Sequence, residues 1–256
     1  MNSKSLAPFG VQRDTWGKSN RDWVKDPENE KNTVLRVSYP KGTSTPSSKW
    51  NPKNVKGGTG FYAAPISPSI IAGAKYVTLQ YEVFFPKQFD FRRGGKLPGL
   101  WGGSGTKMGC SGGNSAATCF SARFMWRAKG NGEAYLYIPK NADQDPGLKK
   151  VKPMTHLDPT YGSSVGRGAF RFKSGGWTRI KELVKVNDPD KKNGILKIWA
   201  NDKLVVSFGK MVWRKDDNIK LRGFAFETFF GGSSKDCVAE KEEHTMFRNF
   251  KMVAAY

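Results

Sequence analysis

Lys96, Ser121, Arg123, Tyr135 and Tyr137 bring an amine, a hydroxyl, a guanidinium and two phenols into one short stretch of this chain, with no carboxylate pair and no metal-ligand cluster beside them. Such a set suits an anionic substrate that loses a proton. Arginine offers a planar fork matched to a carboxylate and lysine a mobile point charge, so either can stabilise negative charge that builds up in a transition state. Tyrosine has a reference pKa of about 10, and neighbouring cations favour its phenolate, which makes a tyrosine between Lys and Arg a candidate base or proton shuttle. Ser121 can orient a substrate or relay a proton. β-Elimination from a uronic acid uses all of these functions: the carboxylate is neutralised so that the C5 proton becomes acidic, a base removes that proton, and an acid protonates the O4 leaving group.

Strand alternation is what would bring these groups together. Across residues 121–127, Ala122, Phe124 and Trp126 fall on one side and Ser121, Arg123, Met125 and Arg127 on the other. Ala134, Leu136 and Ile138 form the apolar set of the next strand, opposite Glu133, Tyr135 and Tyr137, and Lys129-Gly130-Asn131-Gly132 between them is a turn signal. Keeping both apolar sets in one core requires odd positions to pair with odd positions, because a one-residue slip turns a whole set outward. Arg123 must then face one of the two tyrosines, with side chains about 5 Å apart between Cβ atoms. A solvated sheet face with a cation resting on an aromatic ring is the plainer reading of the same pattern.

The rest of the chain also reads as β-structure. Leu79, Tyr81, Val83 and Phe85 alternate with polar residues over 78–85, and Ile180, Val184 and Val186 oppose Arg179, Lys181 and Lys185 over 177–186. Residues 195–200 and 204–208 form a hairpin through Asn201-Asp202, and the apolar, aromatic segments 221–230 and 245–254 are expected as inner strands. Many short strands with frequent turns and no βαβ rhythm predict an all-β jelly-roll sandwich of two antiparallel sheets with a concave cleft. Residues 1–30, polar apart from Trp16 and Trp23, are expected to be an arm packed on a main domain of residues 31–256.

Lys and Arg total 43 against 22 Asp and Glu, a formal charge of +21. That balance fits nucleic acid, an anionic membrane surface or an acidic polysaccharide, and does not choose among them. There is no apolar run long enough for a membrane span, and the opening Met-Asn-Ser-Lys lacks the apolar core of a signal peptide. Three cysteines exclude a disulfide-dense scaffold. Cys110 and Cys119 are close enough in sequence to form one disulfide across a short loop, or they are two buried thiols. His156 and His244 have no ligand spacing to a cysteine pair, so no metal site is expected.

Five segments carry a family likeness: Lys96-Leu-Pro-Gly-Leu, the Cys110-Ser-Gly-Gly turn, Ser121-Ala-Arg123-Phe-Met-Trp, Tyr135-Leu-Tyr137 and the late Phe229-Phe-Gly-Gly. In them the chain resembles polysaccharide lyase family 14, enzymes of chlorella viruses and molluscs that cleave alginate or glucuronic-acid polymers on a β-jelly roll. The resemblance spans most of the chain. It implies a lyase without a cofactor, acting on an acidic polysaccharide of an extracellular cell wall, virion-associated or secreted. It also implies that Lys96, Ser121, Arg123, Tyr135 and Tyr137 are the active-site set, and neither histidine lies in the matching segments. Arg93 and Arg127 are expected to contact flanking sugar carboxylates. A monomer is expected, with no nucleic-acid or membrane partner. Two other classes stay open on the residues alone. One is a binding module for acidic glycans or nucleic acid, without turnover. The other is a glycoside hydrolase, which needs a second carboxyl to join Glu133, with Glu82 and Glu227 as candidates.

Overall fold

The structure is a computed structural model that describes residues 5–105, 109–112, 116–140 and 144–256. The described residues form two antiparallel seven-stranded sheets packed face to face, as the alternation predicts. The first sheet runs β1 (Val11–Trp16), β4 (Thr59–Ala63), β13 (Lys220–Phe230), β6 (Gly94–Gly103), β7 (Cys119–Arg127), β8 (Asn131–Tyr137) and β9 (Ser163–Arg171). The second runs β12 (Lys203–Met211), β11 (Gly194–Ala200), β10 (Gly176–Lys185), β5 (Tyr76–Phe85), β14 (Glu243–Ala255), β3 (Asn29–Tyr39) and β2 (Arg21–Asp26). No helix among the described residues is long and apolar enough to cross a membrane.

Each segment expected to be a strand is one. Asn201 and Asp202 both have positive φ, 47° and 67°, the backbone that lets a two-residue turn follow the strand twist between β11 and β12. Within residues 1–30, β1 pairs with β4 in the first sheet and β2 with β3 in the second, so this segment contributes an edge strand to both layers. Leu97, Leu100, Phe120, Ala122, Phe124 and Trp126 of the first sheet bury against Val77, Leu79, Tyr81, Val83 and Phe85 of the second. Phe224, Phe226 and Phe230 join that core, whereas Phe229 turns to the outer face and stands edge-on to Trp16.

One irregularity in β6 decides how the site is built. Its register with β7 shifts between Leu97 and Gly99, so that Lys96 pairs with Met125 but Gly99 with Arg123. Pro98, which has no N–H to give to a ladder, is the extra residue. This bulge lets Leu97 and Leu100, an odd number of positions apart, both face the core, and it keeps Lys96 and Trp101 together on the outer face. Its backbone groups are satisfied through the core by the opposite sheet: the Tyr81 hydroxyl donates to the Pro98 carbonyl at 2.9 Å, and the Leu100 N–H donates to the Glu182 carboxyl at 2.6 Å. Gly99 is needed here, because a Cβ on it would lie 2.1 Å from the Ala122 carbonyl oxygen and 2.5 Å from the Arg123 Cα.

Candidate active site

The outer face of the first sheet gathers the predicted cluster. Parity holds across β7 and β8: Ser121 pairs with Tyr137, Arg123 with Tyr135 and Met125 with Glu133. Lys96 enters from β6, and its Nζ lies 3.9 Å from the centroid of the Tyr135 ring and 5.6 Å from that of Tyr137. The two phenol rings meet edge to face, with centroids 5.8 Å apart. Tyr135 shares a hydrogen bond with Tyr137 and accepts one from the Gly162 N–H, and the Tyr137 hydroxyl accepts the Gly112 N–H at 3.1 Å. Gly162 backs both rings: a Cβ there would lie 2.6 Å from Tyr135 and 2.9 Å from Tyr137.

Cys110 and Cys119 form a disulfide, which resolves the alternative left open by the sequence. The carbonyl oxygen of Cys110 accepts from the Ser121 hydroxyl at 2.8 Å and from the Arg123 guanidinium at 3.2 Å, tying the loop to β7. Residues 113–115 of the Cys-Ser-Gly-Gly segment and its continuation lie outside the described residues.

Two carboxylates stand among these groups, where a stretch free of paired acids had been expected. Glu227 of β13 forms an ion pair with Arg123 and accepts from the Tyr62 hydroxyl at 3.4 Å. Glu133 is fully buried and accepts from Arg127 at 2.6 Å, Arg167 at 2.6 Å and Ser164 at 2.5 Å. Both are engaged by arginine, and Glu82 lies on the other sheet, bound by Arg179 and Arg248. Arg123 is only 1% exposed, so its fork meets Glu227 and the Cys110 carbonyl. Arg127 lies 5.6 Å from the Tyr135 ring and shares Glu133 with Arg167, two guanidiniums against one carboxylate. Arg93 is outside this set: it is exposed at the start of β6 and paired with Asp236 at 2.6 Å.

Burial inverts the electrostatics expected from residue types. The Lys96 amine is pushed well below the ordinary lysine range, first by loss of water and then by the Arg123 charge, against the smaller opposing effect of Glu227. The Tyr135 phenol is pushed up, by burial first and by Tyr137 second, and the nearby Arg127 cation does not offset this. The expectation that cations would favour a phenolate here is therefore reversed for Tyr135. An amine whose proton is held less tightly than usual thus lies against the ring of a phenol whose proton is held more tightly, which favours the amine as the base and the phenol as the acid. Tyr62 and Gly162 gave no signal in the sequence, and Glu227 only that of a possible second hydrolase carboxyl, because all three reach the site through strand pairings distant along the chain.

The protein is thus a two-sheet jelly roll that sets cations and phenols together on one outer face. The sequence profile of Polysaccharide lyase 14 matches residues 27–250. The marine PL-14 alginate lyase of Aplysia kurodai is 34% identical, with 93% of this chain and 88% of that one covered, at a TM-score of 0.79. An alginate lyase of a Chlorella virus is 27% identical over 99% of this chain and 98% of its own, at a TM-score of 0.76. The exolysin of Paramecium bursaria Chlorella virus 1 is 27% identical over 60% of this chain, and the matched region is 25% of its length. The chain thus spans about a quarter of that curated relative. The chain belongs to polysaccharide lyase family 14.

Proposed function

We propose that the protein cleaves 1,4-linked uronate polymers, alginate or a glucuronan-like wall polysaccharide, by β-elimination. The observation that carries this reading is the contact of a deeply buried Lys96 amine with the Tyr135–Tyr137 pair. Lys96, in its unprotonated form, takes the C5 proton; the electrons of that bond form the C4–C5 double bond as the C4–O4 bond breaks; and a phenol of the tyrosine pair gives its proton to O4. Proton return from the Lys96 ammonium to the phenolate resets the site. The net positive flank of Arg127, Arg167 and Glu133 steadies the uronate carboxylate, while Arg123 and Ser121 hold the disulfide loop against β7. Arg93 meets a sugar further along the chain. The enzyme acts as a monomer on extracellular wall polysaccharide, with residues 1–30 as an arm whose strands β1 and β2 complete one edge of each sheet.

Incubation with polyglucuronate, polymannuronate and polyguluronate tests this. Ultraviolet-absorbing unsaturated ends are expected from at least one polymer, and binding without such ends from any of them would leave a carbohydrate-binding module instead. Tyr135→Phe and Tyr137→Phe, compared separately, identify the proton donor as the variant that loses about 10²–10⁴-fold in kcat. Full activity in both would remove the tyrosines from the mechanism.

A further inference from the structure

The second sheet has its own outer face, on the opposite side of the sandwich from Lys96. Ile180, Val184, Leu196 and Ile198 are buried in the core, so period-two alternation turns Lys181, Lys185, Lys197 and Trp199 outward. Trp199 pairs with Lys181, Lys181 with Gln80, and Gln80 with Lys251, which makes one row across β11, β10, β5 and β14. Lys197 stands one row along, and Lys185 two, next to Tyr76. The Lys181 Nζ lies 4.3 Å from the Trp199 ring and that of Lys185 5.8 Å from the Tyr76 ring. Glu82, the carboxylate of the neighbouring row, is already held by Arg179 and Arg248. The four lysines thus share one outer face, Lys181 and Lys185 beside aromatic rings, with no ion-pair partner among the described residues.

We propose that this face is a second binding surface for anionic polysaccharide of the uronate type, an anchor that holds the enzyme on its polymer while the Lys96 face works. Neighbouring strands lie about 4.8 Å apart, so Lys181 and Lys251, two strands apart, are separated by roughly the span of a disaccharide. That spacing suits the sparse carboxylates of a uronate chain better than duplex DNA, which carries a charge about every 1.7 Å. The unpaired charges are lysine point charges, and the arginine forks of the neighbouring row, Arg179 and Arg248, which would favour phosphate, are taken by Glu82. Trp199, uncovered as Lys181 turns to a carboxylate, offers a flat apolar surface to a sugar ring. The proposal depends on the lyase reading only for the choice of polymer.

The test is retention on covalently immobilised polymannuronate and polyglucuronate at about physiological ionic strength, measured in a Lys96→Ala background so that the matrix is not cut. Adding Lys181→Gln, Lys185→Gln, Lys197→Gln and Lys251→Gln should weaken retention at least about tenfold, as expected for loss of one of two linked contacts. The same four changes in the otherwise native chain should leave kcat/KM on a soluble tetrasaccharide within about twofold, since the faces are far apart. Unchanged retention in the quadruple variant overturns the proposal. So does binding of duplex DNA or phosphatidylserine vesicles through these lysines more tightly than either polyuronate. Lysine-dependent retention in that background, together with no unsaturated product when the chain that keeps Lys96 is given either soluble polymer, would instead sink the lyase reading and leave the anchor standing.

Discussion

Lys96 and Tyr135 sit on strands that do not pair with each other, yet the lysine Nζ lies 3.9 Å from the tyrosine ring. β7 separates them: Lys96 pairs with Met125 of that strand, and Tyr135 with Arg123 of the same strand. Burial is the largest influence on both groups, and it moves them in opposite senses: it lowers the pKa of the amine and raises that of the phenol.

Replacing Lys96 by Met should abolish most activity, a fall of about 10²–10⁴-fold in kcat, while making the fold more stable at neutral pH. The sign follows from proton binding. The unfolded chain keeps its lysine proton up to the ordinary value of 10.5, and the folded chain releases it at lower pH. Between those limits the unfolded state binds more protons, so native stability rises with pH. Met removes that dependence, and its advantage in urea denaturation should shrink as the pH approaches 10.5. A variant less stable than the native chain at neutral pH would contradict a buried, depressed amine.

Glu227→Gln should shift the acid limb of the kcat/KM profile to lower pH. The Glu227 charge raises the Lys96 pKa, so its removal lets the amine stay unprotonated in more acid solution. Stability should fall by up to about 3–5 kcal/mol, because Arg123 is left as a buried cation without its carboxylate. An acid limb that moves upward would exclude Lys96 as the base.

Gly162→Ala places a methyl group against both phenols. We expect kcat to drop by up to about 10²-fold from a displacement of the rings on the order of 1 Å, with about 1–3 kcal/mol lost to overpacking. Thermal unfolding and kinetics on the same sample separate the two effects, and native kcat would show that the rings have room to give.

The double variant Cys110→Ser, Cys119→Ser should lose about 2–3 kcal/mol, as expected for opening a loop of this length. It should also lose activity beyond what unfolding explains, because the Cys110 carbonyl holds both Ser121 and Arg123. Equal kcat with and without the disulfide would show that the loop keeps its place on hydrogen bonds alone.

Glu182→Gln tests the polar support under the β6 bulge. Burial holds the Glu182 carboxyl well above its ordinary value of 4.5, so the folded state binds a proton that the unfolded chain loses, and stability falls as the pH rises through that window. Glutamine still accepts the Leu100 N–H without titrating. The variant should match the native chain in acid and exceed it at neutral and alkaline pH, while a loss of stability at every pH would mean that the carboxyl itself is required.

The hairpin was legible in sequence because period two fixes the parity that buries both Phe124 and Ala134 and so turns Arg123 toward one of the two tyrosines, and the structure selects Tyr135. The face of Lys96 was not, since Leu97-Pro98-Gly99-Leu100 breaks the alternation and only the bulge resolves it. Glu182 lies on the buried parity of β10, but its charge argues for solvent, and only Leu100 in the opposite sheet explains its place. Glu227 reaches Arg123 through a pairing of β13 with β6 that is itself irregular between Ala225 and Phe229.

By itself the sequence determined the all-β class, the β7–β8 hairpin and the family likeness, since these rest on local alternation and on short motifs read along the chain. Tertiary structure decided how each charge is held: Arg123 is bound to Glu227, and burial lowers the pKa of Lys96 and raises that of Tyr135. Residue type fixes what a group can do with a proton. How much water it keeps, and which distant strand brings its partner, fix what it does.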